Sequence, residues 1–271
     1  MKYLGFIILL FSFAHTQAQD NDTSVLRANK VAEVQKYQFV HAFIDNKDSC
    51  LLDIKRYDTL TRIIYHKVDM KCMGYNSNEE TIYEYGEYGF NKIKGRRDGE
   101  DFTESTYYFE KGEKDPVSIH TFFLQTNDSI TMKNTYFRNK TGLLDSSITV
   151  SVLQDGTRAY SRSVARYNED DKLIQLVNAD ENGQLTQMSS YEVGPSGLLL
   201  SSSFATYGEK PHFVQTYYSY NQKGQISNSV NTVNQKQEFF YDDNGLLTNI
   251  LSYDPKGKLE VEYIYKYTYH K

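Results

Sequence analysis

Five histidines follow residue 40: His41, His66, His120, His212 and His270. None lies within four residues of another, so the helical pair that puts two imidazoles on one metal is absent. Only the fold could bring His41 and His66 together. Glu79, Glu80, Glu84 and Glu87 cluster among tyrosines. A glycosidase works with two carboxylates at a set separation, and that separation is a property of the fold. The plainer reading is a solvated strand edge. Asp242, Asp243 and Asp254 offer oxygen ligands, but they sit in turn-forming sequence and lack the dense spacing of a calcium loop. Lys92, Lys94, Arg96 and Arg97 form a short basic run that Asp98, Glu100 and Asp101 follow at once. That is a solvated segment and not a polyanion site. No Gly-x-Ser-x-Gly elbow and no Gly-rich phosphate loop occurs. The sequence assigns no catalytic residue, metal ligand or cofactor.

Two further groups have chemical potential. Cys50 and Cys72 flank Leu51–Lys71, which reads as a hairpin around Asp58–Thr61. In an oxidising compartment such a pair forms a disulfide; the alternative is two buried thiols. Tyr263, Tyr265, Tyr267 and Tyr269 alternate along one strand and share a face. Aromatic faces with a hydroxyl stack on sugars. Leu247, Leu251, Leu259 and Val261, read onto the same side, favour a packed inner face instead.

The elements that position these residues follow from composition and repeats. The chain has 271 residues, 30 Lys+Arg against 35 Asp+Glu, and a net charge of −5. This balance argues against a nucleic-acid partner, which needs a basic footprint. With 24 Tyr, 15 Phe and no Trp, it leans towards sheet. Met1-Lys2, an apolar run from Leu4 to Ala14, and small residues at Thr16 and Ala18 have the layout of a secretory signal peptide over residues 1–18. The run is too short for a stable membrane helix, and no later stretch is longer. The expected destination is the periplasm, the cell surface or the medium.

The remainder is repetitive. Tyr241-Asp-Asp-Asn-Gly-Leu-Leu247 and Tyr253-Asp-Pro-Lys-Gly-Lys-Leu259 both read Tyr-Asp-x-x-Gly-x-Leu, twelve residues apart. Tyr220–Ile226 has the same frame, Ala179–Leu185 keeps it without the Tyr, and Tyr167–Leu173 keeps it without the Gly. Val193–Leu199, Arg138–Leu144 and Tyr57–Ile63 are looser copies. The glycines of the frame, Gly183, Gly197, Gly224, Gly245 and Gly257, supply the positive φ of a tight reversal, and the preceding Asp or Asn bonds the turn backbone. From Leu247 onward apolar and polar residues alternate with period two, a strand signature. The expected fold is all-β, an antiparallel meander of repeated hairpins over 49–271, forming a curled or solenoid-like sheet. Residues 19–48 lack the repeat and read as a separate segment. Thr23 or Ser24 caps a short helix through Val25, Leu26, Ala28, Val31 and Val34, and a strand over Tyr37–Ile44 follows.

The Tyr-Asp-x-x-Gly-x-Leu frame resembles the YD repeats of the RHS family, with Tyr241–Tyr265 the nearest match. It shades into the hairpin repeats of YwqK-like and MORN-type proteins, whose Gly-x-Trp element is absent here. The resemblance implies an exported repetitive β-protein with carbohydrate or cell-surface contacts, and it carries over no catalytic residue. Three functions stay open at this level. The first is a non-enzymatic exported scaffold binding a surface glycan or protein. The second is a glycan-acting hydrolase on the same framework. The third is an outer-membrane β-barrel, against which stand polar residues on both faces of Ser161–Arg166 and Ser227–Asn231. No oligomeric state is read.

Overall fold

A computed structural model describes residues 23–41, 49–111 and 115–271. The expected signal segment, 1–18, lies outside the described residues. A short helix, α1 (Thr23–Ala28), leads into β1 (Val31–Val40), β2 (Cys50–Tyr57) and β3 (Ile63–Asp69). A single 3-10 turn, Met70–Met73, precedes β4 (Asn78–Gly86), β5 (Gly89–Arg97), β6 (Glu100–Tyr108) and β7 (Ser118–Phe123). Then come β8 (Asp128–Arg138), β9 (Leu144–Leu153), β10 (Arg158–Tyr167), β11 (Leu173–Asp180) and β12 (Leu185–Val193). The chain ends with β13 (Leu199–Thr206), β14 (His212–Tyr220), β15 (Ile226–Asn231), β16 (Lys236–Tyr241), β17 (Leu247–Tyr253) and β18 (Leu259–Tyr269).

Every strand pairs antiparallel with its sequence neighbours, so the hairpin meander is present. The ends of the meander also meet. β1 pairs β2 on one side and β18 on the other, with Val34 opposite Tyr267 and Lys36 opposite Tyr265. The 18 strands therefore form one closed barrel and not a curled or solenoid-like sheet. Closure comes from the segment without repeats. α1 stops at Ala28 because Lys30 takes φ 52°, and Val31 and Val34 lie in β1. The expected strand over Tyr37–Ile44 thus starts six residues earlier, and 42–44 lie outside the described residues. β1 is a full barrel strand, so the barrel takes in part of 19–48.

The repeated frame builds one turn many times. In Asp242–Leu246 the Asp242 N–H donates to the Leu246 carbonyl and the Gly245 N–H to that of Asp242, while the Asp242 carboxylate accepts the Leu246 N–H. Asn168–Lys172, Asp180–Gln184, Asn221–Gln225 and Asp254–Lys258 repeat the pattern. The fourth turn residue is left-handed: Gly183, Gly197, Gly224, Gly245 and Gly257 have φ of 76°, 78°, 78°, 82° and 81°. Asp171 and Asn234 hold that position at 58° and 60° without glycine.

Such a turn adds one residue to one strand, a β-bulge, and the register shifts beside it, as at Arg166/Tyr167, Ser219/Tyr220 and Phe240/Tyr241. The repeat tyrosine occupies this irregularity. Tyr220 Oη donates to the Leu199 carbonyl at 2.7 Å and Tyr167 Oη to Leu144 at 3.0 Å, and Tyr267, outside the frame, makes a similar bond to the Leu247 carbonyl. For Tyr220 and Tyr167 the acceptor is the final Leu of an earlier looser copy, Val193–Leu199 and Arg138–Leu144. In these copies Tyr and Leu form one device, pinning the bulge of one hairpin to the strand of another, whereas Tyr253 donates to Glu238 Oε2 at 2.9 Å. The bulge also corrects the simple alternation beyond Leu247. Ile250 and Ser252 share a face with Tyr263 and Val261, while Asn249, Leu251 and Tyr253 turn to the other.

Candidate functional site

Register assigns side chains to two faces of the wall. Val34, Ile119, Ile130, Met132, Ala165, Phe239, Ile250 and Tyr265 share one face, and all are buried. Tyr108, Phe137, Ile148, Tyr160, Phe213, Tyr217, Val230 and Phe240 share the other, and all are exposed. A closed wall crowds side chains on its concave side and splays them on its convex side, so the buried face lines the lumen. Barrels of this strand number enclose an aqueous lumen.

Over β6–β17 the lumen wall is largely uncharged and joined strand to strand by side-chain hydrogen bonds. Ser105 meets Thr121 at 2.9 Å, Thr149 donates to Asn134 at 2.9 Å, and Ser163 donates to Asn178 at 2.6 Å. Ser202 meets Tyr218 at 2.9 Å, and Gln237 donates to Ser252 at 3.1 Å. Polar groups bonded in this way face a lumen without a desolvation penalty. Ile119, Ile130 and Met132 form a small apolar cluster on this wall.

Inward charge gathers on β1–β5, the candidate site. Lys36, Asp53, Lys55 and His66 point inward at mid-wall, and Glu79 and Arg97 point inward at the start of β4 and the end of β5. His66 Nε2 lies 2.7 Å from Asp53 Oδ2, and Arg97 Nη2 lies 3.0 Å from Glu79 Oε1. Lys36 Nζ sits 4.4 Å above the Tyr263 ring, and Arg97 stacks on Phe102 at 4.3 Å. Burial lifts the Tyr83 phenol on the same face to about 12. Thr81 stands opposite His66 across β3 and β4, yet no hydrogen bond joins them among the described residues. The sector can hold charged or polar groups of a ligand inside the barrel. The sequence missed it, because strand alternation alone decides which of these residues face inward.

The residues singled out by sequence disperse. Alternation sends Glu79 inward while Glu80 and Glu84 turn outward, to Lys67 at 3.3 Å and Lys94 at 3.5 Å. The glutamate cluster therefore does not converge on one site. Lys92 and Arg96 pair with Glu104 and Asp101, at 2.7 and 2.6 Å. His41 lies beside Glu262 at 3.7 Å, away from the His66–Asp53 pair. Asp254 binds its own turn. Cys50 and Cys72 are bonded, with Cα atoms 5.6 Å apart, which ties the start of β2 to the 3-10 turn. Three of the ladder tyrosines are covered. Tyr265 is 5% exposed, and Tyr263 and Tyr267 pack with it against Leu26 of α1, Leu247 and Ile250. Tyr269 alone is exposed, so the four do not form an open stacking face. α1 is fastened to this rim, where Asn29 Nδ2 donates to the Asn244 carbonyl at 3.4 Å and Arg27 to that of Leu60 at 3.4 Å.

Fold and lumen define a class: a closed, all-antiparallel, up-and-down β-barrel with polar side chains inside. The sequence matches no protein-family description and no curated protein. Among solved structures it is similar to a porin-like protein from Bacteroides uniformis ATCC 8492. The TM-score is 0.42 at 8% identity, over 89% of this chain and 97% of that one. A porin-like protein from Bacteroides vulgatus ATCC 8482 gives 0.33 at 12%, over 89% and 98%. The TcdB2-TccC3-Cdc42 complex gives 0.37 at 12%, over 76% of this chain and 14% of that one. Scores this low carry no functional argument, and the barrel reading rests on the strand pairing itself.

Proposed function

We propose that this chain is an exported barrel protein of the cell envelope. It has the closed architecture of outer-membrane barrels and a wall suited to water on both sides. Ring closure through β1 is the observation that carries the reading, since it favours the barrel over an open repeat scaffold. The outer wall supports the second half. Lys67 pairs with Glu80 and Lys92 with Glu104 outward and mid-strand, and Arg56 with Glu33 at 2.7 Å and Lys236 with Glu238 at 2.6 Å outward near strand ends. A Lys or Arg on a lipid-facing wall costs about 2–4 kcal/mol near the bilayer midplane. Lys67, Lys92 and Lys94, nearest the middles of β3 and β5, would meet that cost, and Arg56 and Arg96, near strand ends, a smaller one.

In this reading the barrel is a binding body and not a catalyst. Its lumen presents the ionic sector on one side and hydroxyl and amide groups on the other. A glycan-stacking role for β18 forms no part of it, because α1 and Lys36 cover those rings. The YD-like frame contributes hairpin closure, and export rests on residues 1–18. The test is extraction of cell membranes with alkaline carbonate and then detergent. Release without detergent supports the reading, and release by detergent alone would replace it with a membrane-spanning barrel.

A further inference from the structure

The outer wall is divided by charge. On β2–β5 every outward Lys and Arg has a carboxylate partner: Arg56 with Glu33, Lys67 with Glu80, Lys92 with Glu104, Lys94 with Glu84, and Arg96 with Asp101. On β8–β10 the pattern stops. Lys133, Arg158, Arg162 and Arg166 point outward and exposed, and none has an ion-pair partner among the described residues. The outward mid-strand positions of β7–β11 hold no Asp or Glu among the described residues.

Apolar side chains fill the gaps between these cations. Lys133, Val150 and Tyr160 lie in one cross-strand row. Thr135, Ile148 and Arg162 form the next, and Thr131, Val152 and Arg158 flank it on the other side. Tyr160 is 42% exposed, Phe137 47% and Ile148 37%. Neighbouring strands stand about 4.8 Å apart and same-face residues about 7 Å apart, so each cation lies within roughly 10–15 Å of its nearest neighbour and the row from Arg158 to Arg166 spans about 27 Å.

We propose that this face of β8–β10 docks the barrel side-on to the surface of a bilayer carrying anionic phospholipid. Two features select that occupant. The patch is basic on a chain of net charge −5, so it is complementary to an anionic surface that the rest of the molecule repels. Its cations alternate with Ile148, Val150, Val152, Tyr160 and Phe137, the mixture that enters the headgroup boundary. A hydrophilic polyanion offers nothing to the aliphatic members. The proposal rests on the reading of a water-facing barrel and adds how that barrel is held at a membrane.

The test is co-sedimentation of the mature chain, without detergent, with phosphatidylcholine vesicles and with phosphatidylcholine–phosphatidylglycerol vesicles. Binding to the anionic vesicles only, weakened by salt, is expected. R158Q/R162Q/R166Q breaks no ion pair, so it keeps the wild-type melting curve while its partitioning falls on the order of a hundredfold. K92Q/K94Q, on the paired part of the wall, changes partitioning by less than about twofold. Equal binding to neutral vesicles, or undiminished binding of the triple variant, would overturn the proposal. So would retention on an acidic polysaccharide such as alginate with no vesicle binding, which reassigns the patch to a polymer. A chain that is insoluble without detergent defeats the underlying water-facing reading instead.

Discussion

Removing one hydroxyl tests the Tyr–Leu device. In Tyr220→Phe the ring stays and the 2.7 Å bond to the Leu199 carbonyl goes. That carbonyl sits beside the bulge between Glu192 and Val193, which lies opposite Leu199. The net contribution of such a bond is about 0.5–1.5 kcal/mol, and more if the carbonyl finds no water. For a barrel of this size 1 kcal/mol moves the melting temperature by roughly 2–4 °C. Tyr167→Phe removes the equivalent bond to Leu144, and Tyr85→Phe the bond to Ile63 at 2.8 Å. The three bonds lie on separate hairpins, so their effects should add, to about 3 kcal/mol and roughly 6–12 °C in the triple variant. Tyr217→Phe is the control, since Tyr217 is 51% exposed on the outer wall. Thermal melts followed by circular dichroism read the five variants and the wild type. If Tyr220→Phe melts with Tyr217→Phe and wild type, the hydroxyl does not pin the bulge and the account of the repeat is wrong.

Other expectations follow from the same geometry. Gly257→Ala meets no atom within 4 Å yet must hold φ near 81°, so it should cost roughly 1 kcal/mol in urea unfolding. Asp171→Gly relieves the same strain at φ 58° and should raise stability by a similar amount. Leu26→Ala empties the core under α1, and a loss of about 2–5 kcal/mol is expected in the same assay. Burial pushes the Asp58 carboxyl up, but bonds from the Arg62 N–H, the Arg62 guanidinium and the Leu60 N–H outweigh it and hold it below the usual range. Its stabilisation is therefore full above about pH 4 and lost as pH falls through the lowered value; Asp58→Asn should flatten that part of a urea-midpoint profile against pH. Reduction of Cys50–Cys72 reopens a 22-residue separation and should cost about 3 kcal/mol, read as a lower melting temperature with reductant.

Much of the local structure was legible because its causes are local. An Asp or Asn three residues before a Gly makes the same turn wherever it occurs, and Gly224, Gly245 and Gly257 do so here. Closure was not legible. β1 bears no repeat, and its pairing with Tyr263–Tyr269 depends on a strand at the far end of the sequence. Facing was only partly legible. One bulge per turn moves Ile250 inward and Leu251 outward, which a strict period of two counted from Leu247 reverses. The inward ionic sector and the unpaired outer cations were hidden for the same reason. Arg162 and Ser163 look alike in sequence pattern, and only the ring puts one outside and the other in.

The most direct measurement concerns the wall. Membranes of cells producing the full chain are washed with alkaline carbonate and then extracted with detergent, with Cys50–Cys72 oxidation confirming export. A water-facing barrel leaves in the carbonate wash and stays folded and soluble without detergent. Retention in the carbonate-washed membrane, with release and folding only in detergent, would contradict the account.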